Sequence, residues 1–153
     1  MDGYKYLVSA CLCGHQCRYD GGGFDIPALR RLEEEGIALP YCPEHEGGLP
    51  IPRKPCEIVG ERVLAADGTD CTAEYTRGAE GALALCRQHG ITAAILKESS
   101  PSCGSHLIYD GTHTGRKIPG MGLAARLLAE NGITLYTEKE LPPELTEQAE
   151  STE

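Results

Sequence analysis

Apolar positions along this chain change period several times, and the changes mark out its elements. The run KYLVSA (5–10) is β-rich and ends at a Cys/Gly cluster, which predicts a short buried strand. In DIPALRRLEEEG (25–36) Leu29 and Leu32 share a face, Pro27 stands in the first turn and Gly36 stops the pattern, so a helix is expected. IALPY (37–41) reads as a strand with Pro40 at its end. CPEHEGGLPIPRKPCEI (42–58) reads as a loop stiffened by its X-Pro steps, and ERVLAA (61–66) as a short edge strand before the turn DGTD. The clearest helical period covers 72–90, with Tyr75, Ala79, Ala82, Leu83 and Cys86 on one side. Thr72 or Asp70 is placed to cap that helix and Gly90 to end it. ITAAILK (91–97) is almost continuously apolar, the mark of a strand buried on both faces of a parallel sheet. GSHLIYD (104–110), a glycine-rich loop, a helix over 119–132 and the strand ITLYTE (133–138) complete the alternation.

Strand–helix–strand alternation predicts an α/β sandwich with a mostly parallel sheet, in which ligands bind beyond the carboxyl ends of the strands. Three cysteines belong there. Cys11 follows the first strand, Cys42 follows the second, and Cys103 lies a few residues past ITAAILK. No local motif links them, because only the architecture brings them to one rim of the sheet.

Composition narrows the field. At 153 residues, 41% hydrophobic and 24% charged, the chain has the size and balance of one water-soluble domain, expected over 1–140. An acidic C-terminal tail is expected over 141–153, since six Glu and one Lys occupy 138–153. No apolar run approaches the ~20 residues of a membrane span. The start, MDGYKYLVSACLCG, lacks a basic segment followed by an apolar stretch, which favours a cytoplasmic protein over a secreted one. A net charge of −9 is a poor match for a DNA or RNA backbone. In a reducing compartment, eight cysteines read as thiols, metal ligands or redox centres rather than disulfides. Zinc-ribbon spacing is missing; the tightest cluster, C-L-C-G-H-Q-C, holds Cys11, Cys13 and Cys17.

Five segments together carry a resemblance: VSACLCGHQCRYDGG (8–22), YCPEHEGGLPIPRKPCEI (41–58), LKESSPSCG (96–104), IYDGTHTGRKIPGMG (108–122) and ITLYTE (133–138). In this order they resemble the signatures of the small bacterial and archaeal family that includes the 2-thiouracil desulfidase, across nearly the whole chain to about residue 140. The resemblance implies a Rossmann-like three-layer α/β sandwich and a 4Fe-4S cluster held by three cysteines. It also implies non-redox desulfuration, in which a thiolated pyrimidine, as base or nucleoside, exchanges its thione sulfur for oxygen and hydrogen sulfide is released. Carried over by position, the cluster ligands are Cys11, Cys42 and Cys103, the catalytic carboxylate is Glu44 of C-P-E, and the assisting hydroxyl is Ser100 of S-P-S-C.

Those residue types suit that chemistry. Thiolates are the usual ligands of iron–sulfur clusters, and three of them leave one iron of a cubane open to a soft sulfur ligand. A carboxylate two residues from a ligand can take a proton from an incoming water. Plainer readings stand beside these. Buried cysteines are commonly inert, Glu44 can be a polar residue of a proline-braced loop, and Ser100 can cap a turn, with Ser99, Ser102 and Ser105 close by. Cys13 departs from the apolar residue usual there in the family, so Cys13 or Cys17 is a candidate fourth ligand. Cys56, Cys71 and Cys86 read as structural. His15, His45 and His113 read as loop residues rather than zinc ligands. GGG at 21–23 and GMG at 120–122 read as flexible or closely approached backbone, not as a dinucleotide fingerprint. Arg53 and Lys97 are candidates to orient a substrate's anionic or carbonyl group. Two other classes compete: a cluster- or zinc-bearing redox sensor without turnover, and an α/β scaffold with inert thiols.

Overall fold

The computed structural model describes residues 4–15, 26–50 and 54–143. Its centre is a parallel four-stranded sheet: β1 (Tyr6–Ser9), β2 (Ala38–Tyr41), β5 (Ala93–Leu96) and β8 (Thr134–Thr137), in the order β2-β1-β5-β8. The register sets Val8 between Pro40 and Ile95, and Leu96 opposite Thr137. Between these strands come α1 (Pro27–Glu34), the short α2 (Pro43–Glu46), a hairpin of β3 (Cys56–Val59) and β4 (Arg62–Ala65), and the long α3 (Thr72–His89). A second hairpin, β6 (Leu107–Tyr109) with β7 (Lys117–Pro119), and α4 (Leu123–Glu130) precede β8.

Alternation along the strands builds two cores. Tyr6, Val8 and Ile95 point to the face covered by Leu29 and Leu32 of α1. Leu7, Ala94 and Leu96 point to the other, where Ala82, Leu83 and Cys86 of α3 and Ala125 and Leu128 of α4 pack. Helices on both faces of a parallel sheet make the α/β sandwich that the alternation predicts, in the three-layer form that the resemblance implies. Each fully buried leucine, such as Leu7, Leu29 or Leu128, contributes about 1.5–3 kcal/mol of transfer free energy. A third cluster ties the β3–β4 hairpin to α3 through Val63, Cys71 and Tyr75.

Several boundaries differ from expectation. The segment 42–58, expected as a loop, contains α2 and β3. Its prolines hide both, because Pro43 starts a helical turn as readily as it breaks one and Pro55 stands just before β3. The expected edge strand is β4, which pairs with β3 in a separate hairpin rather than with the main sheet. Pro40 lies one residue inside β2, which tolerates it because β2 is an edge strand. The fourth helix begins at Leu123, four residues later than expected, because Lys117–Pro119 is already a strand. Asp70 rather than Thr72 serves the start of α3, accepting from the Thr72 N–H at 2.9 Å. Gly90 ends α3 in the left-handed conformation, φ 67°, as its position suggests. The GGG stretch, and the acidic tail from residue 144 on, lie outside the described residues. No helix among the described residues is long and apolar enough to cross a membrane.

Candidate metal centre and active site

The strand order reverses direction between β1 and β5, and at such a switch point an open α/β sheet leaves a crevice beyond its carboxyl ends. A cavity of about 280 Å³ opens there. Cys11, Cys42, Cys103, Glu44 and Ser100 all line it. The three thiols come from the turns after β1, β2 and β5, which are adjacent strands.

Cys11 sits in the 3-10 turn Ala10–Leu12 that continues β1. Cys42 is the N-cap of α2, and Glu44 lies in that helix's first turn, buried with 9% of its surface exposed. Backbone proximity places this segment. A Cβ on Gly78 of α3 would come within 1.8 Å of the Pro43 carbonyl oxygen, and one on Gly81 within 2.3 Å of the Tyr41 hydroxyl. The glycine face of α3 is therefore the seat of the Pro43 backbone and of the Tyr41 ring's hydroxyl end. Tyr41 donates its hydroxyl to the Gly78 carbonyl at 2.9 Å, and Arg77 Nε donates to the Gly47 carbonyl at 3.0 Å. Burial, with Glu46, Cys42 and Cys103 nearby, pushes the Tyr41 hydroxyl up to about 12.

Cys103 is presented differently. Glu98, buried just after β5, accepts the backbone N–H groups of Ser99 (3.1 Å), Ser105 (2.9 Å), His106 (3.0 Å) and Leu107 (3.1 Å). The His106 ring lies 2.8 Å from its other oxygen. Burial alone would raise the Glu98 carboxyl, but the donors of His106, Leu107 and Ser99 outweigh it and hold the group down at about 2. Within this clamp Ser99 adopts φ 74°, a left-handed conformation costly for a side-chain-bearing residue and upheld by the contacts around it. The turn 100–104 closes through the Gly104 N–H to the Ser100 carbonyl at 2.9 Å. The first turn of α4 seals it, as the N–H groups of Leu123 and Ala125 donate to the carbonyls of Pro101 and Ser102 at 2.9 and 3.0 Å. Gly122 must lack a side chain here, since a Cβ would stand 2.6 Å from the Pro101 carbonyl oxygen. In G-M-G, close backbone approach is thus the operative reading.

Polar groups surround the Cys103 sulfur. The Ser9 hydroxyl donates to it at 3.2 Å. Burial pushes this thiol up to about 12, the Ser9 and Ser102 hydroxyls pull it down, and Glu44 and Cys42 push it up again. A thiol so placed becomes a ligand when a cation compensates the thiolate charge. Ser100 accepts the N–H groups of Ser102 and Cys103 at 3.1 and 2.7 Å, so it caps the turn as well as lining the cavity.

The donor set fits an iron–sulfur cluster: among the described residues four thiols and no histidine line the crevice, Cys11, Cys42 and Cys103 from the turns after adjacent strands and Cys56 from the β3–β4 hairpin. Among those residues no three His, Cys, Asp or Glu side chains are grouped as a single metal ion would require. A cubane carries its protein ligands on separate irons, so its thiols stand apart from one another. The side chain of Cys13 turns away, donating to the Leu29 carbonyl at 3.8 Å under α1, and burial with Glu33 beside it pushes that thiol up to about 12. Cys17 and Arg53 lie outside the described residues.

A model of the 2-thiouracil desulfurase family matches residues 6–140. The chain belongs to the 2-thiouracil desulfurase family. A Bacillus subtilis (strain 168) protein, YbbK, described as uncharacterized, is 42% identical over 145 residues, covering 88% of this chain and 96% of its own. Among solved structures, the [4Fe-4S]-dependent thiouracil desulfidase TudS is 47% identical and superposes with a TM-score of 0.88. That match covers 97% of this chain and 99% of TudS.

Within this desulfurase fold, sequence reasoning passed over Ser9, named Ser102 only as a neighbour of Ser100 and did not show the clamping role of Glu98, although all three shape the site. Ser9, Glu98 and Ser102 act on the thiols and on Glu44 through contacts 58 to 94 positions apart, or through backbone donors that no side-chain motif records. Cys56, expected to be structural, lies on the cavity wall beside Cys71. Lys97 lines the cavity and pairs with Glu138 at 2.9 Å. The loop histidines make local contacts: His15 with Glu33 at 2.7 Å, His45 with the Leu49 carbonyl at 3.0 Å and His113 beside Glu57 at 3.6 Å.

Proposed function

We propose that this protein is a 4Fe-4S-dependent thiouracil desulfidase that replaces the thione sulfur of a 2-thiouracil-like pyrimidine with oxygen from water, releasing hydrogen sulfide. The observation that carries the reading is the meeting of Cys11, Cys42 and Cys103, each from the turn after one of three adjacent strands, with the buried carboxyl of Glu44 in a single crevice at the carboxyl ends of those strands. Cys11, Cys42 and Cys103 hold the cluster. When bound with three protein ligands, such a cluster supplies an open iron that acts as a soft Lewis acid toward the thione sulfur.

The chain's own residues do the rest. Glu44 takes a proton from the attacking water and returns it toward the departing sulfur, so the sum is thione plus water giving the oxo base plus hydrogen sulfide. No electrons are exchanged in that balance. Ser100 assists by keeping the turn that presents Cys103, with its hydroxyl at the cavity wall. The substrate is a thiolated nucleobase or nucleoside, and the protein works in the cytoplasm. Anaerobic reconstitution, iron and sulfide quantitation, and incubation with 2-thiouracil test this reading. About four iron and four sulfide per chain with formation of uracil and sulfide is the expected result. Iron uptake without turnover would make the protein a sensor, and no uptake at all would leave a scaffold.

A further inference from the structure

Ser102 has no part in the reaction as derived so far, yet it is among the most enclosed side chains of the molecule, 1% exposed, and lines the crevice. Its hydroxyl has one proton and three acceptors in reach: Glu44 Oε2 at 2.9 Å, Ser100 Oγ at 3.0 Å and Cys103 Sγ at 3.7 Å. The carboxyl oxygen wins, being at ordinary hydrogen-bond length and the stronger acceptor. The sulfur is already served. Ser9 Oγ accepts the Lys97 N–H at 2.9 Å, which leaves its own proton to point at Cys103.

The rest of the chain of hydroxyls follows. With its proton committed to Glu44, Ser102 Oγ accepts from Ser100 Oγ at 3.0 Å. The Ser100 oxygen in turn takes the N–H groups of Ser102 and Cys103. Donation therefore runs one way, from Ser100 to Ser102 to Glu44, and it ties a carboxyl delivered by the β2 loop to the turn that delivers Cys103. Glutamate has three side-chain torsions, and a catalytic carboxyl must sit within a fraction of an ångström of its productive place.

We propose that Ser102 is the positioning residue of Glu44: its buried hydroxyl holds the carboxyl at a fixed place relative to Cys103. The kinetic consequence rests on the desulfidase reading, whereas the hydrogen bond does not. The test uses reconstituted protein labelled with 13C-glutamate, in which the infrared carboxyl band of Glu44 is identified by its loss in Glu44→Gln. In Ser102→Ala that band shifts, kcat for 2-thiouracil falls by roughly 10-fold or more, and KM and iron content stay near wild type. An unmoved band overturns the proposal whatever the activity. So does a shifted band with unchanged kcat, and so does loss of iron, which would show that Ser102 serves the ligand instead of the carboxyl. Failure of the wild-type protein to release sulfide overturns the enzyme reading and the positioning role with it, a result distinct from failure of the Ser102 variant alone.

Discussion

The loop after β2 delivers Cys42 and Glu44 by steric fit, whereas the loop after β5 delivers Cys103 by a buried polar clamp. In the first, Gly78 of α3 lets the Pro43 backbone, and Gly81 the Tyr41 hydroxyl, press against the helix closer than any side chain would allow. In the second, one carboxyl, Glu98, gathers four backbone N–H groups and Ser99 is held at positive φ. Steric seating does not depend on pH and tolerates no added volume. A carboxyl clamp tolerates volume but depends on charge. Two loops that must meet at one cavity thus have different vulnerabilities, and substitutions can separate them.

The largest effect is expected where the two loops and the β1 turn must all succeed. Serine in place of Cys11, Cys42 or Cys103 should each abolish cluster assembly and sulfide release, while Cys86→Ser, on the inner face of α3, should keep both. Retention of a full cluster in any of the three would break the assignment of ligands. Next, Glu44→Gln should leave the cluster spectrum intact and lower turnover by roughly 10²-fold or more, the usual worth of a positioned base. Near-normal turnover would move the base elsewhere. It would not move to Glu98, whose oxygens are occupied by the clamp, nor readily to Glu46, which is exposed and off the cavity wall.

Glu98→Gln tests the polar clamp. The carboxyl is held at about 2, below its ordinary 4.5, so its charge contributes stability above pH 4.5 that is lost as pH falls toward 2. Wild type should exceed the variant by about 3 kcal/mol at neutral pH. Denaturant unfolding between pH 2 and 7 should show that gap closing as the solution is acidified; a gap constant over the range would mean the clamp works without its charge. The smallest effect tests the steric seat. Gly→Ala inside a helix ordinarily stabilises by about 0.5–1 kcal/mol. At Gly78 the sign should reverse, to a loss of about 1–3 kcal/mol, because the new methyl collides with Pro43. Iron loading should fall with it, since Pro43 adjoins Cys42. A stabilised, fully loaded Gly78→Ala protein would show that the β2 loop is not seated on α3.

Much of the frame was legible in the residues. The near-continuous apolar run at 91–97, the amphipathic face of α3 and the Gly90 stop all record burial and backbone geometry locally, because a side chain's hydrophobicity and a glycine's φ are local properties. Strand ends are equally local, which is why Cys11, Cys42 and Cys103 could be placed at one rim from pattern alone, and why matched segments name a family. Short elements were lost: α2 and β3 are four residues each, and prolines beside them look like loop.

What tertiary structure alone decided is the environment of each group. Hydroxyl roles are the clearest case. Among the serines after Glu98, nothing in S-S-P-S-C says which one turns toward a carboxyl 58 positions away, and it is Ser102 that reaches Glu44 while Ser100 caps the turn. Nor does the sequence show that Glu98 is a clamp, since its partners are backbone donors present at every residue except proline. The glycines of α3 look like weak points of a helix until Pro43 is seen against them. Periodicity encodes which face is buried; the identity of the atom across the contact depends on how distant segments pack, and only the folded chain contains that.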